Sequence, residues 1–250
     1  MAPEVVYKDS DFIILNKPAN LLVHERNNAS GAAEPTLVEW LVNEFPEVRG
    51  VGEDPINRPG IVHRLDKETS GAMVVARNTR SFEYLKNLFK TSQVKKNYLA
   101  LALGRFASIS GIIEKPIGLK SGTTKRTTRI DGAKLVKEAK TYYQVLNSFS
   151  FQGQELSLVG VRPFTGRTHQ VRVHLNSIGH PVIGDQLYGG RLGRDLALNL
   201  GLKRQFLHSE SIEFTAPGGS RVKVSVNLPE DLEQALSLLR AAPEDRRSRS

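Results

Sequence analysis

Val5 and Tyr7 alternate with polar positions ahead of the turn Asp9-Ser10-Asp11, and an apolar run, Phe12-Ile13-Ile14-Leu15, follows. That pattern predicts a β-hairpin. A third strand is expected at Leu21-Leu22-Val23, after Lys17-Pro18. Residues 25–35, ERNNASGAAEP, are small and polar and read as a surface loop. Thr36 and Glu39 have the spacing of a capping box, and Leu37, Trp40, Leu41 and Phe45 recur at helical spacing up to Pro46. A long loop, 47–60, carries Gly50, Gly52, Pro55, Pro59 and Gly60 and leads into IVHRLDKETSG.

Further on, Ala72 to Ala76 reads as a buried strand. Phe82, Leu85, Leu88 and Phe89 mark one face of a helix at about 79–91, and YLALALG predicts a strand at about 98–104. Long strands at about 141–149 and 155–162 meet at Gln152-Gly153. A helix is expected from near Thr168, with Val171, Leu175 and Ile178 inward, to the stop signals Gly179 and Pro181. Strands at about 211–215 and 221–226 precede a helix from Glu230 to Arg240 and a frayed tail, 241–250. Strands outnumber helices and often follow one another directly. The expected class is therefore α+β with a mostly antiparallel sheet. With no repeat or linker in view, residues 1–240 read as one catalytic unit.

Composition narrows the function. The 250 residues include no cysteine, which removes disulfides, Cys-ligated zinc, iron–sulfur clusters and thiol nucleophiles, and fits a reducing, cytoplasmic setting. The N-terminus has no signal-peptide pattern, and no apolar run reaches the roughly 18–20 residues of a membrane span. Lys and Arg number 35 against 26 Asp and Glu, a net charge of +9 that suits a polyanionic partner. The excess is concentrated in 120–140. Lys120, Lys125, Arg126, Arg129, Lys134, Lys137 and Lys140 there face only Asp131 and Glu138. This stretch reads as a phosphate-facing arm or as a solvated hairpin turning at Asp131-Gly132.

Three places offer chemistry. Asp66 lies in a loop between Arg64 and a small-residue turn, as a reactive carboxylate or as a turn cap. Arg167, in RPFTGRTHQ, can hold a buried carboxylate ionised and oriented, contact a phosphate, or make a surface ion pair. Tyr98, beside Lys95 and Lys96, suits either base stacking or the core. Metal ligation is disfavoured. His169 and His174 are five apart, roughly 140° around a helix, and no HExxH pattern occurs. Neither GxGxxG nor GxxxxGK[ST] is present, so no nucleotide cofactor is expected.

Taken together, several segments resemble the RluA-type family of RNA pseudouridine synthases. They are NKPANLLVH (Asn16 to His24), RPGIVH (Arg58 to His63), HRLDKETSG (His63 to Gly71), KKNYLAL (Lys95 to Leu101), TGRTHQVRVHL (Thr165 to Leu175), GHPVIGDQLYG (Gly179 to Gly189) and RQFLHSESIEF (Arg204 to Phe214). The resemblance covers nearly the whole chain. Its order of motifs is more specific than any one of them, and His63 at the head of the loop sides with the RluA branch.

The resemblance implies a pseudouridine synthase fold and a cofactor-free, metal-free isomerisation of uridine in rRNA or tRNA. Asp66 would be the catalytic carboxylate, Arg167 its partner, and Tyr98 the ring stacked on the target uracil. Arg64 would enter the space left by the flipped base, with His63 beside it. Leu207 would line the apolar pocket, and Lys125, Arg126 and Arg129 would hold phosphates. A monomer without an N-terminal S4 domain is expected. Ser209 and Thr215-Ala216-Pro217 depart from the family's usual Ala and His-Pro. The alternative is an RNA-binding or RNA-folding protein on the same fold with little turnover.

Overall fold

The structure is a computed structural model that describes residues 2–24 and 34–241. In chain order it contains β1 (Glu4–Lys8), β2 (Phe12–Lys17), α1 (Leu37–Glu44), a 3-10 turn (Pro46–Val48), β3 (Ser70–Ala76), α2 (Thr79–Lys90) and β4 (Lys95–Leu103). Next come β5 (Ser110–Glu114), β6 (Ile117–Leu119), β7 (Arg126–Thr127), β8 (Lys134–Lys137), β9 (Lys140–Phe151) and β10 (Gln154–Pro163). The series ends with α3 (Gln170–Ser177), α4 (Gly190–Asn199), β11 (Leu207–Thr215), β12 (Arg221–Ser225) and α5 (Glu230–Ala241). None of these helices is long and apolar enough to cross a membrane. The class is α+β with mostly antiparallel strands, as the pattern of apolar residues predicts.

The chain packs as two compact units. The first runs to Lys96 and takes in Ser209–Asn227. Its strands lie in the order β1-β2-β3-β11, with β12 paired to β11. Every residue of β3 is buried, which explains its unbroken apolar run, SGAMVVA. Phe12, Ile14 and Val74 from the strands meet Phe82 and Leu85 of α2 and Phe214 of β11 in one core. Both helices are capped as their sequences suggest. Thr36 Oγ1 accepts from Glu39 N at 3.2 Å while Glu39 Oε2 accepts from Thr36 N at 2.7 Å, and Asn78 Oδ1 accepts from Ser81 N at 2.9 Å. Gly71 (φ +118°) is required where β3 begins, because a Cβ there would sit 2.2 Å from the Ser209 carbonyl oxygen.

The second unit comprises Asn97–His208 and the segment from Leu228 onward. Its strands lie in the order β4-β10-β9-β5. The β9–β10 hairpin turns at Gln152-Gly153, both at positive φ (52° and 72°). Leu101, Leu156, Leu196, Phe206, Leu232 and Leu236 form its main core. A buried ion pair, Arg172 Nε to Asp185 Oδ2 at 2.7 Å, ties α3 to the loop before α4. A separate small sheet, β7-β6-β8, is built from the basic stretch.

Several elements differ from expectation, among them the edge strand β5, for which no strand was expected. Residues 21–23 form no strand, only a single parallel bridge, Leu22 with Thr36. The Lys17 ammonium takes the Pro18 and Leu21 carbonyls at 2.7 and 2.9 Å, and the Leu22 and Val23 carbonyls accept from Leu37 N and Val38 N at 2.7 and 3.0 Å, so this backbone is satisfied by a side chain and by the first amides of α1 rather than by a ladder. The basic stretch is not a simple hairpin, because β6 lies between β7 and β8. Helix α3 starts at Gln170 rather than Thr168, since His169 is left-handed (φ 57°). Helix α4 was unforeseen: Gly190 and Gly193 weaken its propensity, and buried Leu196 and Ala197 hold it by packing. The tail beyond 241 and most of the loop 25–35 lie outside the described residues.

Candidate active site and RNA-facing surface

The loop between residues 61 and 70 belongs to the first unit and is anchored at several points. At its start, Val74 N donates to His63 Nε2 at 3.0 Å, and the His63 ring stacks on Phe89 at 4.5 Å and 22°. Because Nε2 accepts, the ring is the neutral tautomer with its proton on Nδ1. Burial, and secondarily the charge of Lys96, pushes the His63 pKa down to about 3. Lys96 is itself buried, its Nζ lying 5.7 Å from the Phe89 ring centre, and burial brings its pKa down to about 8. His63, expected among the RNA-facing residues, is in contact with Phe89 and the Val74 amide.

Past Asp66, the Lys17 ammonium also takes the Lys67 carbonyl at 3.2 Å. Lys17 is 0 % exposed, and its three carbonyl acceptors satisfy a charge that would otherwise be costly to bury. Thr69 N donates to the Asp66 carbonyl at 3.1 Å and closes the turn. The Asp66 side chain is left half-buried on this frame, next to fully packed Leu65. Arg64 is exposed, with Nη1 3.1 Å from His24 Nε2.

Tyr98, Arg167, Leu207 and the basic arm belong to the second unit. Tyr98 is buried on β4 opposite Val161 of β10, and Leu207 is buried at the head of β11. The Arg167 loop is held by Gln170. Gln170 Oε1 accepts from Arg167 N at 2.9 Å and from Thr165 Oγ1 at 2.7 Å, while its amide donates to the Lys140 carbonyl and to Thr141 Oγ1. Arg167 Nε donates to the Glu138 carbonyl at 3.0 Å.

The arm presents Lys125 and Arg129 to solvent, with Arg126 partly buried. Arg126 N donates to the Tyr188 hydroxyl at 2.9 Å, and that hydroxyl is also 2.9 Å from His169 Nδ1. Tyr188 thereby links the arm to the loop that carries Arg167. Its placement follows from Asp185, whose Oδ1 accepts from Leu187 N and Tyr188 N.

Lys17, Lys96 and Tyr188 were not among the residues singled out for chemistry. A lysine ending an apolar strand ahead of a proline, as in FIILNKP, was the available signal for Lys17. Nothing in the sequence set Lys96 apart from Lys95, or marked Tyr188 as a bridge.

The RNA pseudouridylate synthase family profile matches residues 11–177. A ribosomal large subunit pseudouridine synthase D of Yersinia pestis is 34% identical over 250 residues, covering 97% of this chain and 72% of that protein. Its Pseudomonas aeruginosa counterpart is 36% identical over 245 residues, covering 95% of this chain and 72% of that protein. Among solved structures, human RNA Pseudouridylate Synthase Domain Containing 1 superposes with a TM-score of 0.70 at 29% identity, covering 97% of this chain and 96% of that one. Human RNA Pseudouridylate Synthase Domain Containing 4 gives 0.71 at 26%, covering 94% and 92%. The chain belongs to the RNA pseudouridylate synthase family, with the RluA-type motifs noted above. It is an isomerase that acts on RNA.

Proposed function

We propose that the chain converts uridine to pseudouridine in folded RNA by flipping the base out of its stack and using Asp66 as the reacting carboxylate. The reaction detaches uracil from ribose C1′, turns it and rejoins it through C5. No atom is gained or lost overall, and the proton on C5 is exchanged for one on the freed nitrogen. Two routes use an ionised carboxylate: covalent addition to the sugar or base, and removal of the C2′ proton to give a glycal. In both, Arg167 is assigned the role of counter-ion that keeps Asp66 charged as water is excluded. Tyr98 is assigned the stacking surface for uracil and, directly or through water, the removal of the C5 proton. Leu207 supplies apolar wall.

Flipping a stacked base costs a few kcal/mol. Exposed Arg64 offsets part of this by filling the gap, and the arm's cations supply affinity through phosphates without reading sequence. Folded ribosomal RNA, named for the bacterial relatives, is the first substrate class, with transfer RNA second.

The observation that carries this reading is the immobilised Asp66 loop, held by His63 on one side and by the Lys17 ammonium on the other. A carboxylate held by such a frame is preorganised for reaction and need not be ordered by substrate. The test is a single-turnover incubation with ribosomal and with transfer RNA, followed by nucleoside chromatography with mass detection. Pseudouridine formed at discrete positions is expected. RNA bound but unchanged would instead favour a binding or folding role on this fold.

A further inference from the structure

Against the arm, in the second unit, lies a cleft of about 540 Å³ lined in part by Arg126 and Arg129. Lys115, Arg126 and Arg129 line it together with Thr127, Thr128, Asn176, Ser177 and Val173, and among the described residues no acidic side chain lines it. The end of α3 would normally turn its negative pole toward this space. Lys115 Nζ cancels much of that by donating to the Ser177 carbonyl at 2.8 Å. Arg126 Nε is buried there without a hydrogen-bond partner, although the backbone of the same residue is fixed by Tyr188. A buried donor left unmade is unfavourable and is rare in folded chains. Arg162 Nε is in the same state, so it is the cationic lining of the cleft, with Arg126 part of it, that points to an anionic ligand.

We infer that this cleft is a phosphate subsite that seats one backbone phosphate of the RNA, with its sugar, on the Arg126 guanidinium. The charge of the lining selects an anion, and the planar fork of Arg126 matches phosphate oxygens. The volume exceeds that of a bare phosphate and suits a nucleotide unit. The inference deepens the RNA-modifying reading and rests on it only for the source of the phosphate. It separates Arg126 from Lys125. Arg126 makes a seated contact, whereas Lys125 contributes to a diffuse field.

The test begins without RNA. Nitrogen-15-labelled protein is titrated with inorganic phosphate while the Arg126 Nε–H resonance is followed. A saturable shift is expected, and Arg129→Ala should weaken it severalfold. An unmoved or non-saturating resonance would overturn the site. RNA affinity is then measured by equilibrium binding. Arg126→Ala should lose about tenfold and Arg126→Lys should recover only part, while Lys125→Ala changes affinity about twofold at the same salt. Removing an unpaired donor strands nothing, so the Arg126→Ala protein should melt at or above the wild-type temperature. Saturation by phosphate with wild-type RNA affinity in Arg126→Ala would show that the cleft serves free phosphate, which overturns its assignment to the RNA chain. Neither measurement requires turnover, so absence of pseudouridine formation would count against the proposed reaction and leave the cleft's test intact.

Discussion

The loop at 61–70 and the arm at 120–140 are both rich in charged residues, yet they are held in opposite ways. In the first, charges are satisfied internally: Lys17 serves three carbonyls, and His63 is kept neutral between Phe89 and the Val74 amide. In the second, most cations face water and the strands are only two to four residues long. The arm is tied down by the Arg126–Tyr188–His169 bridge and by a small apolar cluster of Ile117, Ala139 and Val173. Under the proposed function the difference would separate two tasks. A carboxylate that reacts with a nucleoside needs a frame whose rotamers are already settled. Phosphate contacts tolerate movement, because their strength comes from charge and counterion release.

The contrast yields predictions in order of size. Asp66→Asn should abolish pseudouridine formation while RNA binding and the denaturant midpoint stay near wild type. Nucleoside analysis of treated RNA reads this, and surviving turnover would end the assignment of Asp66. Lys17→Met keeps the side-chain volume but leaves three carbonyls without their donor. It should cost about 2–5 kcal/mol of stability, read by urea unfolding, with activity lost in parallel. A midpoint close to wild type would mean that the loop is held by something else.

Neutralising Lys125, Arg126 and Arg129 together should leave folding unchanged and weaken RNA binding by one to two orders of magnitude. The slope of log affinity against log salt should become shallower by roughly 2–3. An unchanged slope would remove the arm from RNA recognition.

The effect that is smallest at neutral pH, and grows only in acid, is a titration. His63 holds its proton far less readily when folded, at about 3 against an ordinary 6.5, because burial disfavours its charged form. As pH falls below about 6.5 the unfolded chain takes up a proton that the folded chain refuses, so stability drops between roughly pH 6.5 and 3 and is complete above that window. His63→Gln, whose Oε1 lies where Nε2 does and can still accept from Val74 N, should flatten this part of the stability–pH curve. An unaltered slope would place the titration elsewhere.

Much of this could be read along the chain. The class, the β9–β10 hairpin at Gln152-Gly153 and the Thr36 capping box depend on local rules: period, turn chemistry and a hydrogen bond three residues away. The segment HRLDKETSG by itself left Asp66 as a reactive carboxylate or a turn cap, and only the resemblance of the ordered motifs singled it out. Residues 21–23 and helix α4 were misread or missed because their conformation depends on a buried lysine and on packing of Leu196 and Ala197. Lys96 and Tyr188 were invisible as site residues for a similar reason, since Phe89, His63 and His169 lie 7 or more positions from them in the chain.

The amino-acid order alone therefore determined the periodicities, the caps, the charge excess and the candidate carboxylate, all of which arise from interactions among near neighbours. Only the folded chain decided which lysines are buried, that the His63 ring accepts from a backbone amide, and which arginines keep a buried Nε without a hydrogen-bond partner. Those outcomes depend on which distant carbonyls, rings and amides surround a group once water has been excluded, and no local pattern contains that information.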